Sequence, residues 1–263
     1  MRDRLRAVYF LHYGSVGATL GYLAPYLRGL GFTGEAIGGV SMAAQLVAAP
    51  AALLWGHAAD RRGSRAVTLR ICALGAFVAI SALAWARTPL QVGAVLVAQA
   101  AFGAAVVPLL DSLTMEWARA EAGRSYARAR LFGSLGFVAV AQGLGVWLSL
   151  RGDRAADPLV PFAAAVCIGS SALLLQAAKV PAKAVPKTPL RSRDAVALLA
   201  NPAVLLLFAL CAIHWAACAP YHLLFGVLVR DLGHEAAVTG SGLALGVLAE
   251  TAAFWAFPAL RRR

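Results

Sequence analysis

Charged residues are scarce in this chain: aspartate, glutamate, lysine and arginine make up 14% of its 263 residues, whereas hydrophobic residues make up 60%. Soluble domains carry about 25% charged and about 45–50% apolar residues. The same low polarity excludes a disordered chain, and with only four cysteines a small secreted fold held by disulfide bonds is also excluded. One globular core cannot hide so much apolar surface, so the composition predicts a protein of the lipid bilayer.

Eight stretches without charged residues predict eight transmembrane helices. A spanning helix needs about 20 mostly apolar residues, and all but one of the stretches are long enough. The third is short, but arginines at both of its ends can reach the membrane surface. Because the stretches lack the alternation of barrel strands, we expect an all-α, polytopic membrane protein. The stretches are 7–27, 36–59, 71–86, 88–110, 131–150, 158–178, 195–229 and 236–260, the last interrupted by Glu250.

Lysine and arginine are unevenly distributed between the connections. The two termini and the connections on their side of the membrane hold 19 of the 24 basic residues, whereas the four opposite loops hold five. Such an excess marks the cytoplasmic side. We therefore expect a multi-pass protein of the cell membrane with both termini cytoplasmic. The net charge of +12 then reflects topology, and we expect no nucleic-acid partner, because basic and aromatic residues do not cluster outside the helices.

The first hairpin of the chain recurs near its end. When residues 1–61 are moved forward by 202 positions, His12 coincides with His214 and Gly38 with Gly240. Parallel repeats about an axis normal to the membrane are a design found in transporters. An equal second half would need four more helices, so we expect a chain that is either truncated or completed by helices from elsewhere.

The repeat and the charge pattern together predict three segments. We expect a six-helix half at 1–178, a basic cytoplasmic linker at 179–194, and helices 7 and 8 of an incomplete second half at 195–263.

A short motif between the second and third predicted helices identifies a family. The segment GHAADRRGSR over residues 56–65 resembles the G-x-x-x-D-R-x-G-x-R signature of the major facilitator superfamily. Its glycine allows a tight reversal, and its aspartate can pair with a neighbouring arginine or a helix N-terminus. A generic charged turn would explain the arginines but not the spacing. The residues expected to form this cytoplasmic gating motif are Gly56, Asp60, Arg61, Gly63 and Arg65.

Three further segments resemble the branch of lactose permease and phenylpropionate permease. They are PLLD at 108–111, YARARLFG at 126–133 and GVLAE at 246–250. The resemblance covers the first eight of twelve helices. It implies a transporter that moves a small organic solute together with protons, by alternating access and without a cofactor.

Asp111 and Arg130 are the first candidates for a site inside the membrane. They lie at the cytoplasmic ends of adjacent antiparallel helices, so they can pair. A charge in the bilayer costs several kcal/mol and normally faces a partner or a wet cavity. The chemistry alone leaves a structural ion pair and a functional one equally open. The family resemblance favours contact with substrate.

Glu250 is the candidate for proton coupling. It lies near the middle of the last predicted helix, where no charge on the same helix can pair with it, and apolar surroundings raise the pKa of a carboxyl group. The alternative is a carboxyl group that stays protonated and hydrogen-bonded. His214 can share the proton pathway, although a single histidine in a helix more often has a packing role, and the same holds for His12.

Signals for an enzyme or a metal site are weak. The sequence contains no nucleophile elbow, phosphate-binding loop or HExxH motif, so we expect no enzyme. Cys211, His214 and Cys218 share one helix face, but one helix rarely supplies a closed metal site, so we expect neither metal nor cofactor. Two alternatives to a working transporter stay open, namely a truncated fragment that does not transport and a membrane scaffold or receptor that keeps the fold.

Overall fold

The computed structural model describes residues 2–120, 123–177 and 200–260. These residues form ten α-helices and one 3₁₀ turn, with no β-strand among them, in agreement with the predicted all-α class. In chain order the helices are α1 Arg2–Leu20, α2 Leu23–Gly29, α3 Gly34–Arg62, α4 Arg65–Ser81, α5 Pro89–Gly103, α6 Val106–Arg119, α7 Tyr126–Leu150, α8 Leu159–Ala177, α9 Pro202–Asp231 and α10 Ala236–Leu260. The 3₁₀ turn, Ala82–Ala84, extends α4. The predicted linker 179–194 lies outside the described residues.

Six stretches of the described residues are long and apolar enough to cross a membrane. The predicted first span is divided between α1 and α2, and in α10 the fully described part, Ala236–Ala252, is also apolar. A multi-pass membrane protein is therefore supported, while the number of eight spans stays a prediction. The six stretches are Gly34–Arg62, Arg65–Ala84, Pro89–Arg119, Tyr126–Leu150, Leu159–Gln176 and Pro202–Asp231.

Two spans that the sequence predicts as continuous helices are broken. The chain leaves helical structure between α1 and α2, four residues before Pro25, and again between α5 and α6, four residues before Pro108. A proline ring clashes with the carbonyl group four residues earlier and removes one hydrogen bond. This explains the position of both breaks. Pro50 and Pro220, by contrast, lie inside uninterrupted helices.

Helix α1 lies at the centre of the bundle, where it packs against α7 and α8. Glycines allow the close approach to α7. Gly136 lies directly against the backbone of Phe10, and a Cβ atom on Gly17 would come within 2.6 Å of the Phe137 carbonyl oxygen. Small residues give transmembrane helices this kind of contact, because backbones can then approach closely.

Two large clusters of buried apolar side chains lie at opposite ends of the bundle. One contains Leu5, Leu69 and Trp117. We call this end the basic end, because most arginines of the described residues lie on this side. The other cluster contains Leu27 and Leu148, and we call its end the far end.

Helices α9 and α10 form a hairpin that docks on the rest of the bundle mainly at the far end. Of the residues of α9, Gly226, Val227 and Val229 are buried, and all of them lie close to its C-terminus. Large apolar side chains elsewhere face outward, as expected in hydrocarbon. In α3, for example, Leu53 is 76% exposed.

Candidate functional site

The predicted gating motif forms a tight turn at the basic end. Helix α3 ends at Arg62 and is followed by Gly63, whose φ of 65° lies in the left-handed region that glycine adopts without strain. Ser64 then caps α4, because its hydroxyl oxygen accepts a hydrogen bond from the backbone N–H of Val67 at 3.3 Å. The turn thus reverses the chain within two residues. Of the other predicted motif residues, Gly56 lies inside α3 and Arg61 is exposed.

Arg65 joins this turn to helix α6. Its guanidinium group contacts the Glu116 carboxylate, donates a hydrogen bond to the Ser112 hydroxyl at 2.9 Å, and lies 3.7 Å from Oδ1 of Asp60. Sequence reasoning missed Glu116 and Ser112. Their spacing of four residues on one helix face was the only available signal.

Asp111 and Arg130 come together between α6 and α7, although their contact is loose. Arg130 Nε lies 3.8 Å from Asp111 Oδ1, which is beyond hydrogen-bond distance. The same oxygen accepts a hydrogen bond of 2.6 Å from the phenol of Tyr9, which is fully buried in α1. Tyr9 also lies 3.2 Å from the hydroxyl of Thr114. The carboxylate is therefore shared between a cation and a neutral donor.

Aromatic rings hold the guanidinium group of Arg130 in place. Its central carbon lies 4.0 Å from the ring centroid of Tyr13 and 5.8 Å from that of Tyr9. Both distances are within the range of cation–π attraction. Tyr126, at the start of α7, interacts with both Asp111 and Arg130.

This polar cluster is open on one side. The side chains of Asp111 and Arg130 are 22% and 33% exposed, whereas Tyr9 is buried behind them. Sequence reasoning found the two charged residues and missed Tyr9 and Tyr13. Their positions on one face of α1, at a spacing of four residues, could have suggested a shared partner but not which one.

Glu250 and His214 lie apart from this cluster. Glu250 is exposed on α10, and the described residues give it no hydrogen bond or ion pair. His214 is exposed on α9, where its Nε2 lies 3.9 Å from Cys218 Sγ. No group of three possible metal ligands occurs among the described residues. The structure therefore brings together two of the four predicted coupling or substrate residues.

The helix bundle and its D-R-x-G-x-R turn match a known protein family. A family model described as the MFS_1 like family matches residues 3–263. The chain belongs to this family. The match supports the predicted membership of the major facilitator superfamily; it does not test the branch of lactose permease and phenylpropionate permease.

Individual relatives are transport proteins. The chain is 32% identical over 246 residues to a maltose permease of Geobacillus stearothermophilus, a match that covers 90% of this chain and 58% of the permease. It thus spans little more than half the length of that relative. Two crystal structures of the nucleoside transporter NupG, one of them of a mutant, share the fold with TM-scores of 0.83 and 0.77 at 18% and 19% identity. Each match covers 98% of this chain and 67% of the transporter.

These relatives agree with two expectations from the sequence. The family match and the transport proteins that this chain resembles support the prediction that it is not an enzyme. They are also consistent with the multi-pass membrane architecture.

Proposed function

We propose that the protein is a secondary active transporter that moves a small organic solute together with protons by alternating access. The observation that carries the proposal is the carboxylate of Asp111, shared between Tyr9 and Arg130 at the partly exposed side of a membrane helix bundle. A purely structural ion pair is expected to have close contacts and little exposure. In this pair the two groups are 3.8 Å apart and both side chains are partly exposed, so a solute can reach both charges from the exposed side.

The chemistry of the cluster suits a solute with several hydroxyl groups. A carboxylate accepts hydrogen bonds, a guanidinium group donates them, and aromatic rings cover the apolar faces of sugar-like rings. The named relatives are a maltose permease and a nucleoside transporter, whose solutes by name both carry hydroxyl groups. We therefore place the solute of this protein in the same chemical class.

The proposed transporter has a six-helix half at 1–178, the linker 179–194, and the start of a second half at 195–263. We propose that the basic end, with its gating motif, faces the cytoplasm, because the positive-inside distribution favours this orientation. Membrane-impermeant labelling from outside the cell is expected to reach a cysteine placed at His234 and to miss one placed at Ser64. The opposite pattern would reverse the orientation.

Glu250 is the carboxyl group that we propose takes up the proton. It lies on the last predicted span, and nothing among the described residues forms a hydrogen bond or an ion pair with it. In a version completed to twelve helices, Glu250→Gln is expected to abolish proton-driven accumulation, while exchange of solute down its gradient survives. Glutamine mimics the protonated carboxyl group, so this separation follows from the proposed role.

Transport of labelled sugars and nucleosides into proteoliposomes, with and without a pH gradient, measures both properties. The matched control is Glu35→Gln, because Glu35 is an exposed carboxyl group at the far end and is expected to be neutral for transport. If the Glu250→Gln variant still accumulates solute when a pH gradient is applied, a residue other than Glu250 couples proton and solute movement. Absence of any solute or proton movement in the completed protein would favour the scaffold or receptor alternative.

A further inference from the structure

The N-terminus of helix α10, at the far end, is capped by side chains from the end of α7 and from the loop that follows α7. The backbone N–H of Ala236 donates to Oδ1 of Asp153 at 3.1 Å, and the N–H of Ala237 donates to the hydroxyl of Ser149 at 3.0 Å. Ser149 lies in the last turn of α7, and Asp153 follows that helix. The first N–H groups of a helix have no partner within it and are usually satisfied by the residue just before it. Here the two acceptors, Ser149 and Asp153, belong to the predicted six-helix half 1–178, whereas α10 belongs to the predicted second half.

The repeat-related helix α3 is capped differently. Thr33, the residue just before it, accepts a hydrogen bond from the backbone N–H of Ala36 at 3.2 Å. This cap stays intact wherever α3 moves, because both groups belong to the same segment. The cap of α10, by contrast, exists only while α10 is docked on α7.

The loop 151–158 is built to hold Asp153 in position. Asp157 is buried and accepts hydrogen bonds of 2.9 Å from Arg151 and from the backbone N–H of Leu159. Asp153 itself has a φ of 49°, a left-handed conformation that costs most side chains energy and that aspartate tolerates better than most. A strained residue held by its surroundings is common where a specific contact is required.

We propose that Ser149 and Asp153 form a latch that closes the far end by capping α10 across the two halves. When α10 leaves α7, its first N–H groups lose these two acceptors and must be hydrated instead. The negative charge of Asp153 adds a favourable interaction with the N-terminal end of the helix dipole. The latch concerns the docking of two helices and does not require that the protein transport a solute.

Two variants remove the acceptors without altering the rest of the interface. Asp153→Gly removes one acceptor and keeps the left-handed backbone free of strain. Ser149→Ala removes the other inside a helix, where alanine is well suited. Each is expected to lower the ratio of docked to undocked α10 about fivefold, which corresponds to the loss of one helix cap. The two together are expected to lower it about 25-fold, because they act on different N–H groups and their effects multiply.

Two further variants are controls. Asp153→Asn keeps an acceptor at the same place, so the ratio is expected to stay within about twofold of the original. Thr33→Ala also removes a helix cap, but this cap is present in both the docked and the undocked state. It is expected to lower the thermal stability and to leave the ratio unchanged.

Spin labels at Glu35 and His234, both exposed at the far end, report the ratio by double electron–electron resonance. The labels are placed in the 263-residue chain with its four cysteines replaced by alanine, in lipid nanodiscs, at a temperature where undocked molecules are detectable. Size-exclusion chromatography verifies that each variant is folded. If Asp153→Gly fails to fold, Ser149→Ala carries the test, because it leaves the loop backbone untouched. Equal ratios in Ser149→Ala and the original chain, or an equally large loss in Thr33→Ala, would overturn the latch.

Discussion

The two repeat-related hairpins have similar sequences and different surroundings. His12 of α1 lies inside the bundle, 5.7 Å from the ring of Tyr13, whereas its counterpart His214 is exposed on α9. Gly38 of α3 has open space at its Cβ position, whereas a Cβ atom on its counterpart Gly240 would lie 2.7 Å from the Ala141 carbonyl oxygen. The two hairpins therefore share their helical arrangement, but residues at equivalent positions have different neighbours.

The difference follows from what each hairpin is packed against. Helix α1 is enclosed by α7 and α8, and it supplies the phenol that holds Asp111. Helix α9 has buried residues only near its C-terminus, within the part of the chain that the structure describes. The same residue type is thus enclosed by neighbouring helices in one hairpin and exposed in the other. Substitutions at paired positions can separate these two situations.

The largest difference is expected at the paired glycines. Gly240→Val forces a branched side chain against the backbone of α7, so it is expected to cost about 3 kcal/mol and to detach α10. Gly38→Val, at the equivalent position of α3, meets open space and is expected to cost well under about 1 kcal/mol. Thermal unfolding in detergent, followed by size-exclusion chromatography, measures both. Equal losses would show that the two hairpins have equivalent packing.

A smaller difference is expected at Tyr9 and its counterpart Cys211. Tyr9→Phe removes the hydrogen bond to the Asp111 carboxylate and leaves a partly buried charge with one donor fewer. The expected loss is about 2 kcal/mol of unfolding free energy. Cys211→Ala is the control, because Cys211 is exposed and its loss should be neutral. If Tyr9→Phe is as stable as the original chain, the hydrogen bond does not support the cluster.

The smallest effect is expected when the pH is lowered enough to protonate Asp157 in the loop 151–158, which contacts the hairpin of α9 and α10. Burial raises the pKa of the Asp157 carboxyl, but the hydrogen bonds from Leu159 and Arg151 outweigh it, and the net pKa lies below its ordinary value of 3.8. A carboxyl group whose pKa is lowered by folding stabilises the protein above its unfolded-state pKa. This contribution is lost as the pH falls through the folded-state value.

The docked fraction of α10 is therefore expected to decrease in strong acid, and Asp157→Asn to remove this part of the pH dependence at a cost of about 1 kcal/mol. Spin-label distances recorded as a function of pH test this. Hydrogen exchange of α3 serves as the internal control, because its Thr33 cap does not titrate. If α10 undocks and α3 loses its protection from hydrogen exchange at the same pH, Asp157 does not control the docking of α10.

Much of the architecture follows from the sequence because hydropathy and charge placement are local properties. The absence of charge over about 20 residues predicts a membrane helix whatever its neighbours are, and six of the predicted spans have this length and composition in the structure. The glycine of the D-R-x-G-x-R motif predicts the sharp turn, and Gly63 indeed has a left-handed backbone. Proline alone did not predict the two breaks before Pro25 and Pro108, because Pro50 and Pro220 lie inside uninterrupted helices.

The contacts that form the candidate site were decided by tertiary structure. Tyr9 and Asp111 are 102 residues apart, Arg65 and Glu116 are 51 apart, and Asp153 and Ala236 are 83 apart. No local pattern relates such residues, because their meeting depends on which helix faces pack together. The sequence by itself determined which segments are apolar enough to cross a membrane, and its D-R-x-G-x-R motif indicated the superfamily. Only the packing of α1 against α7, and of α10 against the end of α7, decided which polar groups share a hydrogen bond.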